Sequence, residues 1–131
     1  LKGKGTAKKV NEILLKKIGK NSSKMKNYII SSFDWDELNI LRSINKNIPI
    51  AILTSNNIDK AILEGHKIKA TSINPNYKLL NKKNIQQIKS KGFKVFPYTI
   101  NNQSMIEKMK KLKVDGIITD YPERVNLKVN K

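Results

Sequence analysis

Near the end of the chain, polar side chains follow directly on a short apolar run. Gly116–Ile118 is typical of a strand that is buried on both faces of a parallel sheet. Thr119 and Asp120 come next, and Pro122 prevents further strand pairing. In barrels of alternating strands and helices, polar residues at this end of a strand belong to the functional site. The pattern therefore predicts a site at Thr119 and Asp120, although a loop in which Asp120 forms a turn or a cap fits the same residues.

Side chains that transfer protons or bind metals are scarce. The chain has a single histidine, His66, and no cysteine. His66 follows Gly65 where a helix is expected to end, so we predict a surface residue rather than an acid–base group. The lack of cysteine excludes a disulfide framework and a thiolate metal site. Gly3 and Gly5 do not have the spacing of a phosphate-binding loop and predict a turn instead.

The length and hydropathy of the chain are those of a single globular domain. It has 131 residues, of which 38% are hydrophobic, and this is enough for a core. No apolar run reaches the roughly 18 to 20 residues that cross a membrane. No signal peptide opens the sequence, and a cytoplasmic, bacterial-like location is expected. Leu1 in place of a starting methionine suggests that the natural N-terminus lies upstream.

The net charge is strongly positive, +17 with a pI near 10.1. Arg42 and Arg124 are the only arginines, and the lysines are spread from Lys2 to Lys131. Readers of nucleic-acid sequence favour arginine forks and stacking aromatic residues, but aromatic residues are only 6% here. We therefore expect no specific nucleic-acid binding. Weak, salt-sensitive adhesion to polyanions is expected whatever the function.

Hydrophobic periodicity predicts five helices along the chain. The first begins at the capping residue Thr6 and runs to about Lys17, with Val10, Ile13, Leu14 and Lys17 on one face. The second follows the capping residue Asp34 and buries Leu38, Leu41 and Ile44, with Trp35 as a further candidate. The other three are predicted at about 58–64, stopped by Gly65, at 77–90, and after Asn101-Asn102, where Met105, Ile106, Met109 and Leu112 form the apolar face.

Short runs rich in β-branched and aromatic residues predict strands between these helices. Strands that alternate with helices over short connections form a parallel sheet with right-handed crossovers. Pro97 lies inside the fourth run and predicts a bulge or an early strand end. The predicted strands are 28–33, 49–53, 69–74, 94–100 and 116–119.

This alternation predicts an α/β fold, the C-terminal portion of a TIM (β/α)8 barrel. A complete barrel takes roughly 250 residues, so about five strands and a strand stub at Leu1-Lys2 amount to a little more than half of one. Residues 1–122 would form the partial barrel, and residues 123–131 a polar tail. The alternative is a small open doubly wound sheet, but no glycine-rich phosphate turn follows its first strand.

Three segments carry a resemblance to a known family. Ser31-Ser32-Phe33, Pro97–Asn101 and Val114–Pro122 occur in this order and resemble strand ends in the C-terminal half of glycerophosphodiester phosphodiesterases. The last of them is similar to that family's Val-Asp-Gly-Ile-Ile-Thr-Asp-x-Pro strand. Leu1-Lys2 would be the end of the family's third strand, Glu-Leu-Lys or Glu-Ile-Lys. The resemblance implies metal-dependent hydrolysis of glycerophosphodiesters to glycerol 3-phosphate and an alcohol.

The resemblance also implies roles for five residues. Lys2 matches a lysine beside the substrate phosphate, where an ammonium offsets negative charge. Phe33 and Tyr98 match aromatic positions that line the glycerol or alcohol pocket, although the bare sequence allows both to be core residues. Asn101 matches the asparagine that ends the seventh strand, and it is either a polar contact or, as we favour, a helix cap. Asp120 is expected to orient loops at the barrel mouth.

In the family, the two catalytic histidines and the metal-binding carboxylates come from the first third of the barrel and from the residue before the position of Leu1. The resemblance therefore places no catalytic and no metal-binding residue in this chain, and it implies that a divalent cation, Mg²⁺ or Ca²⁺, binds in the full-length enzyme. The partner implied for this chain is the N-terminal half of the barrel. Two alternatives stay open: a non-catalytic half-barrel from a split or degraded gene, and a basic domain that binds polyanions.

Overall fold

Helices and strands alternate throughout the part of the chain that the computed structural model describes, residues 4–19 and 28–121. The predicted stub at Leu1-Lys2 and the tail 123–131 lie outside these residues. The helices are α1 (Thr6–Ile18), α2 (Trp35–Ile44), α3 (Ile58–Ile68), α4 (Lys82–Ser90) and α5 (Gln103–Lys111), with a 3-10 turn at Tyr77–Leu79. The strands are β1 (Ile30–Ser32), β2 (Ile50–Thr54), β3 (Ser72–Pro75) and β4 (Lys94–Val95).

The strands form one parallel sheet of four strands in the order β1-β2-β3-β4. Ala51 lies opposite Ser31 on one side and Ser72 on the other, and Ser72 lies opposite Lys94. Neighbouring parallel strands need a crossover connection, which a helix provides here after each strand. The predicted α/β fold with adjacent parallel strands is confirmed.

The two faces of the sheet have different surroundings. Ile50, Ile52, Ile73 and Val95 point to the helices and are buried among residues such as Leu38, Leu41, Ile62 and Ile88. The opposite face borders a cavity of about 330 Å³ lined by Ile29, Ser31, Ala51, Asn74, Phe96 and Ile118. In this cavity Ile29 is 48% exposed and Ile118 is 38% exposed. Within the described residues, helices therefore cover only one face of the sheet.

The contact face of α1 differs from the prediction. Ala7, Asn11 and Leu14 are buried, whereas Ile13 is 63% exposed. The amide of Asn45 donates to Asn11 Oδ1 at 2.8 Å, so a polar contact with the residue that ends α2 sets the rotation of α1. The predicted face of Val10, Ile13, Leu14 and Lys17 is therefore not the contact face as a whole, because hydrophobic periodicity gives no weight to an asparagine pair.

Two predicted helix boundaries are also wrong. The helix expected at 77–90 is broken at Leu80 and Asn81, because the side chains of Asn81 and Asn84 each accept the other's backbone N–H, at 2.8 and 2.9 Å, and so start α4. In α3, Gly65 does not stop the helix, which continues to Ile68. A side chain at position 65 would meet the Phe93 ring at 2.8 Å, so glycine there permits close packing.

The fourth and fifth predicted strands are shorter or less regular than expected. Regular pairing in β4 ends at Val95, and Pro97 has no N–H to continue the ladder. The segment predicted as strand 116–119 is not a regular strand, but it still runs beside β4. Asp115 N donates to Val95 O at 3.0 Å, Ile118 N to Pro97 O at 2.9 Å, and Ile100 N to Ile118 O at 2.9 Å. The fifth element is therefore present as irregularly paired backbone.

Candidate functional site

Two aromatic rings meet beyond the carboxyl ends of the strands, which we call the carboxyl edge of the sheet. Phe33 follows β1, Tyr98 lies beyond β4, and their ring centroids are 5.7 Å apart in an edge-to-face arrangement. Phe33 is 50% exposed. Both rings line an open cavity of about 260 Å³ with Ser31, Leu53, Thr99 and Ile118. The pair thus forms an apolar wall that a ligand can reach.

The position of Phe33 is set by hydrogen bonds on either side of it. Ser32 Oγ accepts from Asp34 N at 2.8 Å, and Asp34 Oδ1 accepts from Glu37 N at 3.1 Å as the N-cap of α2. Trp35 Nε1 donates to Leu53 O at 2.9 Å, which ties the first turn of α2 to β2. Phe33 therefore lies on a short turn between a strand end and a capped helix.

Tyr98 is held through its backbone and its hydroxyl. Its N–H donates to Pro75 O at 3.1 Å, and its carbonyl accepts from Tyr77 N at 3.0 Å. The hydroxyl donates to Thr54 O at 3.1 Å. Burial raises the pKa of the Tyr98 hydroxyl above its usual value. The group therefore stays neutral near pH 7 and acts as a wall and a tether rather than as a base.

A second cluster at the carboxyl edge joins Asn101 to the segment after Ile118. Asn101 Oδ1 accepts from Asp120 N at 3.0 Å and from Thr119 Oγ1 at 3.1 Å, and Asn101 Nδ2 donates to Asp120 Oδ2 at 3.0 Å. The favoured interpretation of Asn101 as a helix cap is wrong. Asn102 caps α5 by accepting from Met105 N at 2.8 Å, and the amide of Asn101 clamps the two loops instead.

Four of the five residues named from the sequence thus lie at one edge of the sheet. Phe33 contacts Tyr98, and Asn101 contacts Asp120. Thr99 lies between Tyr98 and Asn101 in the sequence, and Ile118 lies two residues before Asp120. Both line the cavity next to the two rings. Lys2 lies outside the described residues. The placement agrees with the expectation, and the roles of these residues in substrate binding stay predictions.

Asn74 is a candidate that sequence reasoning missed. Its side chain is 5% exposed, lines the cavity on the open face of the sheet, and accepts from Ser72 Oγ at 2.8 Å. The signal was the alternation Ser72-Ile73-Asn74, which puts two polar residues on the face opposite the helices. A polar side chain such as Asn74, on the face of the sheet opposite the helices, is positioned to hydrogen-bond to a group that occupies the cavity.

Residues 3–124 match the glycerophosphoryl diester phosphodiesterase family. The chain belongs to this family. Over 112 residues it is 33% identical to the glycerophosphodiester phosphodiesterase of Bacillus subtilis (strain 168), an alignment that covers 82% of this chain and 38% of that protein. The family resemblance noted in the sequence is therefore confirmed.

Solved structures of phosphodiesterases share the fold. The glycerophosphodiester phosphodiesterase of Thermotoga maritima superposes with a TM-score of 0.68 at 25% identity, covering 91% of this chain and 52% of that one. A phosphodiesterase of Oleispira antarctica, solved with the product sn-glycerol-3-phosphate, superposes with a TM-score of 0.73 at 19% identity, covering 79% of this chain and 42% of that one. The chain spans 38–41% of the length of the curated relatives it matches. The fold is thus a partial TIM barrel of this family.

The described part of this family member does not fit a metal ion. In residues 4–19 and 28–121, no three His, Cys, Asp or Glu side chains are grouped so as to hold one. The exposed His66 packs its ring against Phe93, with centroids 5.1 Å apart, on α3 rather than at the carboxyl edge. This agrees with its expected place on the surface. Among the described helices, none has the length and apolar character to cross a membrane.

Proposed function

We propose that the protein to which this chain belongs hydrolyses glycerophosphodiesters to glycerol 3-phosphate and an alcohol, and that this chain supplies the substrate-holding side of the barrel mouth. The observation that carries the proposal is the contact of Phe33 with Tyr98 at the carboxyl edge. The two residues are far apart in the sequence, yet both lie at the edge where barrels of this type bind substrate. Family membership supplies the reaction class.

Each described residue has a simple physical task in this proposal. The edge of Phe33 against Tyr98 offers an apolar surface to the carbon atoms of glycerol or of the alcohol. The neutral Tyr98 hydroxyl, already bonded to Thr54 O, holds that ring in place. Asn101 and Asp120 keep the loops after two neighbouring elements in register. Lys2, outside the described residues, would approach the phosphate as a cation.

The remaining chemistry is assigned to the other half of the barrel. A divalent cation, Mg²⁺ or Ca²⁺, would neutralise the phosphodiester there and polarise it towards attack. The described residues offer no ligand cluster for it, and His66 is away from the carboxyl edge. The substrate class is supported by the Oleispira antarctica neighbour, which was solved with sn-glycerol-3-phosphate. The partner of this chain is accordingly an N-terminal half-barrel, present in the same protein or as a separate chain.

A coupled dehydrogenase assay for glycerol 3-phosphate tests whether the catalytic residues lie outside this chain. We expect the 131-residue chain to be no faster than a buffer blank, with or without Mg²⁺ or Ca²⁺, because it lacks a metal cluster and an acid–base pair among its described residues. A chain extended through the first strands of the barrel should show metal-dependent turnover.

Two results would contradict the proposal. Robust metal-dependent turnover by the 131-residue chain would show that its own residues supply the metal site and the base. An extended chain that folds, carries the histidines and carboxylates of the family, and still fails to hydrolyse any glycerophosphodiester would favour a non-catalytic half-barrel instead.

A further inference from the structure

Basic side chains gather at the amino ends of the strands, which we call the amino edge of the sheet. The helices run antiparallel to the strands, so their last turns and the loops that follow them lie at this edge. Arg42, Lys46, Lys67 and Lys69 come from the ends of α2 and α3 and line a cavity of about 300 Å³. Among the described residues, no carboxylate lines this cavity. We call these four residues the basal cluster.

The positive charge continues around the amino edge on both sides of the basal cluster. In the part of the chain that the structure describes, Asp115 lies at this edge with its Oδ1 3.8 Å from Lys89 Nζ, and Glu64 and Glu107 lie one turn before the ends of α3 and α5. The last turns of α1, α4 and α5 and the residue after α4 carry exposed lysines: Lys16, Lys17, Lys89, Lys91, Lys110 and Lys111. The whole edge therefore has a positive potential.

Helix dipoles explain only part of this distribution. A cation in the last turn of a helix is stabilised by the partial negative charge there. Arg42 is such a residue, since its Nε donates to Ile68 O at 2.7 Å and its Nη1 to Asn45 O at 3.2 Å. Lys46 and Lys69 lie beyond the helix ends, and like charges around one cavity repel each other.

Composition alone does not explain the asymmetry either. At the carboxyl edge the two signs are mixed, because acidic residues open α2 and α3, whereas α4 begins with Lys82 and Lys83. Asp34 caps α2, and Asp36 lies in its first turn. Asp59 lies beside Lys60 in the first turn of α3. The lysines at the amino edge thus outnumber the acidic residues there, whereas Asp34, Asp36 and Asp59 offset part of the lysine charge at the carboxyl edge.

The side chains at the amino edge suit a lipid surface better than a nucleic acid. The guanidinium of Arg42 is bound to backbone carbonyls and is not available to fork onto a base or a phosphate. Phe93, an aromatic residue next to this edge, is buried in the core and cannot stack on bases. Leu15 and Ile44, in contrast, are 37% and 44% exposed and border a cavity beside Lys46. Lysines around exposed apolar side chains are typical of interfacial membrane contacts.

We infer that the amino edge of the sheet, centred on the basal cluster, docks on an anionic lipid bilayer. Exposed ammonium groups contact the lipid phosphates, and Leu15 and Ile44 lie against the headgroup region. In this orientation the carboxyl edge, with Phe33 and Tyr98, faces the water. The inference rests on charge and exposure and is independent of the proposed hydrolysis.

Two variants with the same loss of charge test the inference. The basal variant combines Lys46→Gln, Lys67→Gln, Lys69→Gln and Lys91→Gln, and it spares Arg42 because that residue closes α3. The control variant combines Lys60→Gln, Lys78→Gln, Lys82→Gln and Lys83→Gln at the carboxyl edge. All eight side chains are exposed, so both variants should keep the wild-type circular dichroism spectrum and melting temperature.

Binding is measured by sedimenting the purified chain with vesicles of phosphatidylcholine containing about one-quarter phosphatidylglycerol. The basal variant should partition about tenfold more weakly than the wild type or worse, and the control variant should stay within about twofold of it. Neutral phosphatidylcholine vesicles should bind neither. Raised salt should release the wild type, because the contact is electrostatic.

Three outcomes would overturn the inference. Equal weakening of both variants would mean that net charge, rather than this edge, governs adhesion. Release of the wild type by millimolar inorganic phosphate at constant ionic strength would indicate a discrete anion site in place of a lipid-binding face. Tighter binding to a random single-stranded oligonucleotide than to the anionic vesicles, lost in the basal variant alone, would assign the edge to nucleic acid.

Discussion

At the scale of single residues, the clamp made by Asn101 is the clearest feature of the candidate site. One amide accepts from Thr119 Oγ1 and Asp120 N and donates to the Asp120 carboxylate. A neighbouring amide of the same type, on Asn102, caps α5 instead. The two asparagines are chemically identical and adjacent, so they form a natural pair of variants for separating loop clamping from helix stability.

Asn101→Ala should lower the free energy of unfolding by about 1–2 kcal/mol, because the Asp120 N–H and the Thr119 hydroxyl lose the oxygen to which they donate. Asn102→Ala should cost about 1 kcal/mol by removing the helix cap. Urea denaturation measures both. In the chain extended to full activity, Asn101→Ala should also raise KM by loosening the mouth, and Asn102→Ala should not. An equal rise in KM for both variants would speak against a clamp specific to the mouth.

At the scale of elements, the packing of α3 against β3 and against Phe93, the residue before β4, depends on the absence of a side chain at Gly65. Gly65 lies inside α3, and a Cβ there would be 2.8 Å from Phe93 Cζ and 3.2 Å from Ile73 Cδ1. Phe93 is 6% exposed, so its ring has little room to move away. Helix propensity favours alanine over glycine by about 1 kcal/mol, but overpacking costs about 1–3 kcal/mol.

Gly65→Ala should therefore lower the free energy of unfolding or leave it unchanged. The same change at an exposed helix position would raise it. The control is the double variant Gly65→Ala with Phe93→Leu, in which the smaller side chain accepts the new methyl group. The double variant should be more stable than the sum of the two single changes predicts, as measured by urea denaturation. Strict additivity would show that the ring and the glycine are not coupled.

At the scale of the whole molecule, the open face of the sheet is the main consequence of a partial barrel. Ile29 and Ile118 line its cavity and are 48% and 38% exposed. Parallel sheets are normally covered on both faces, so strands from elsewhere in the barrel are expected to lie against these side chains. A charged side chain on this face should then be tolerated in the 131-residue chain, where the face is open, and should destabilise an extended chain, where the face is covered.

Ile29→Lys with Ile118→Lys should reduce self-association of the 131-residue chain in sedimentation velocity, with little loss of melting temperature. In a chain extended through the first strands of the barrel, the same pair should cost on the order of 3 kcal/mol or more, because two ammonium groups would be buried without partners. Leu63→Lys, at a helix position that is 70% exposed, is the control and should behave alike in both chains. A small cost in the extended chain would mean that this face is not covered.

The sequence by itself determined the elements and their parallel order, because those depend on local patterns. The strand predicted at 49–53 is found at Ile50–Thr54, and the predicted helix cap at Asp34 is present, since each depends on a few neighbouring residues. The place of Phe33, Tyr98, Asn101 and Asp120 at one edge also followed, since parallel strands bring their carboxyl ends together. Three short segments also indicated the family, because each is a continuous stretch of sequence, and the match over residues 3–124 confirms it.

Tertiary structure decided the features for which the local sequence allows two conformations. Either Asn101 or Asn102 could cap α5, and the bonds to Thr119 and Asp120 select the second. Gly65 could end α3, but the ring of Phe93 needs the space within a longer helix. Pro97 could sit in a bulge or end the strand, and only the pairing with 115–118 shows an irregular continuation. In each case the deciding contact comes from a residue distant in sequence, which no local pattern contains.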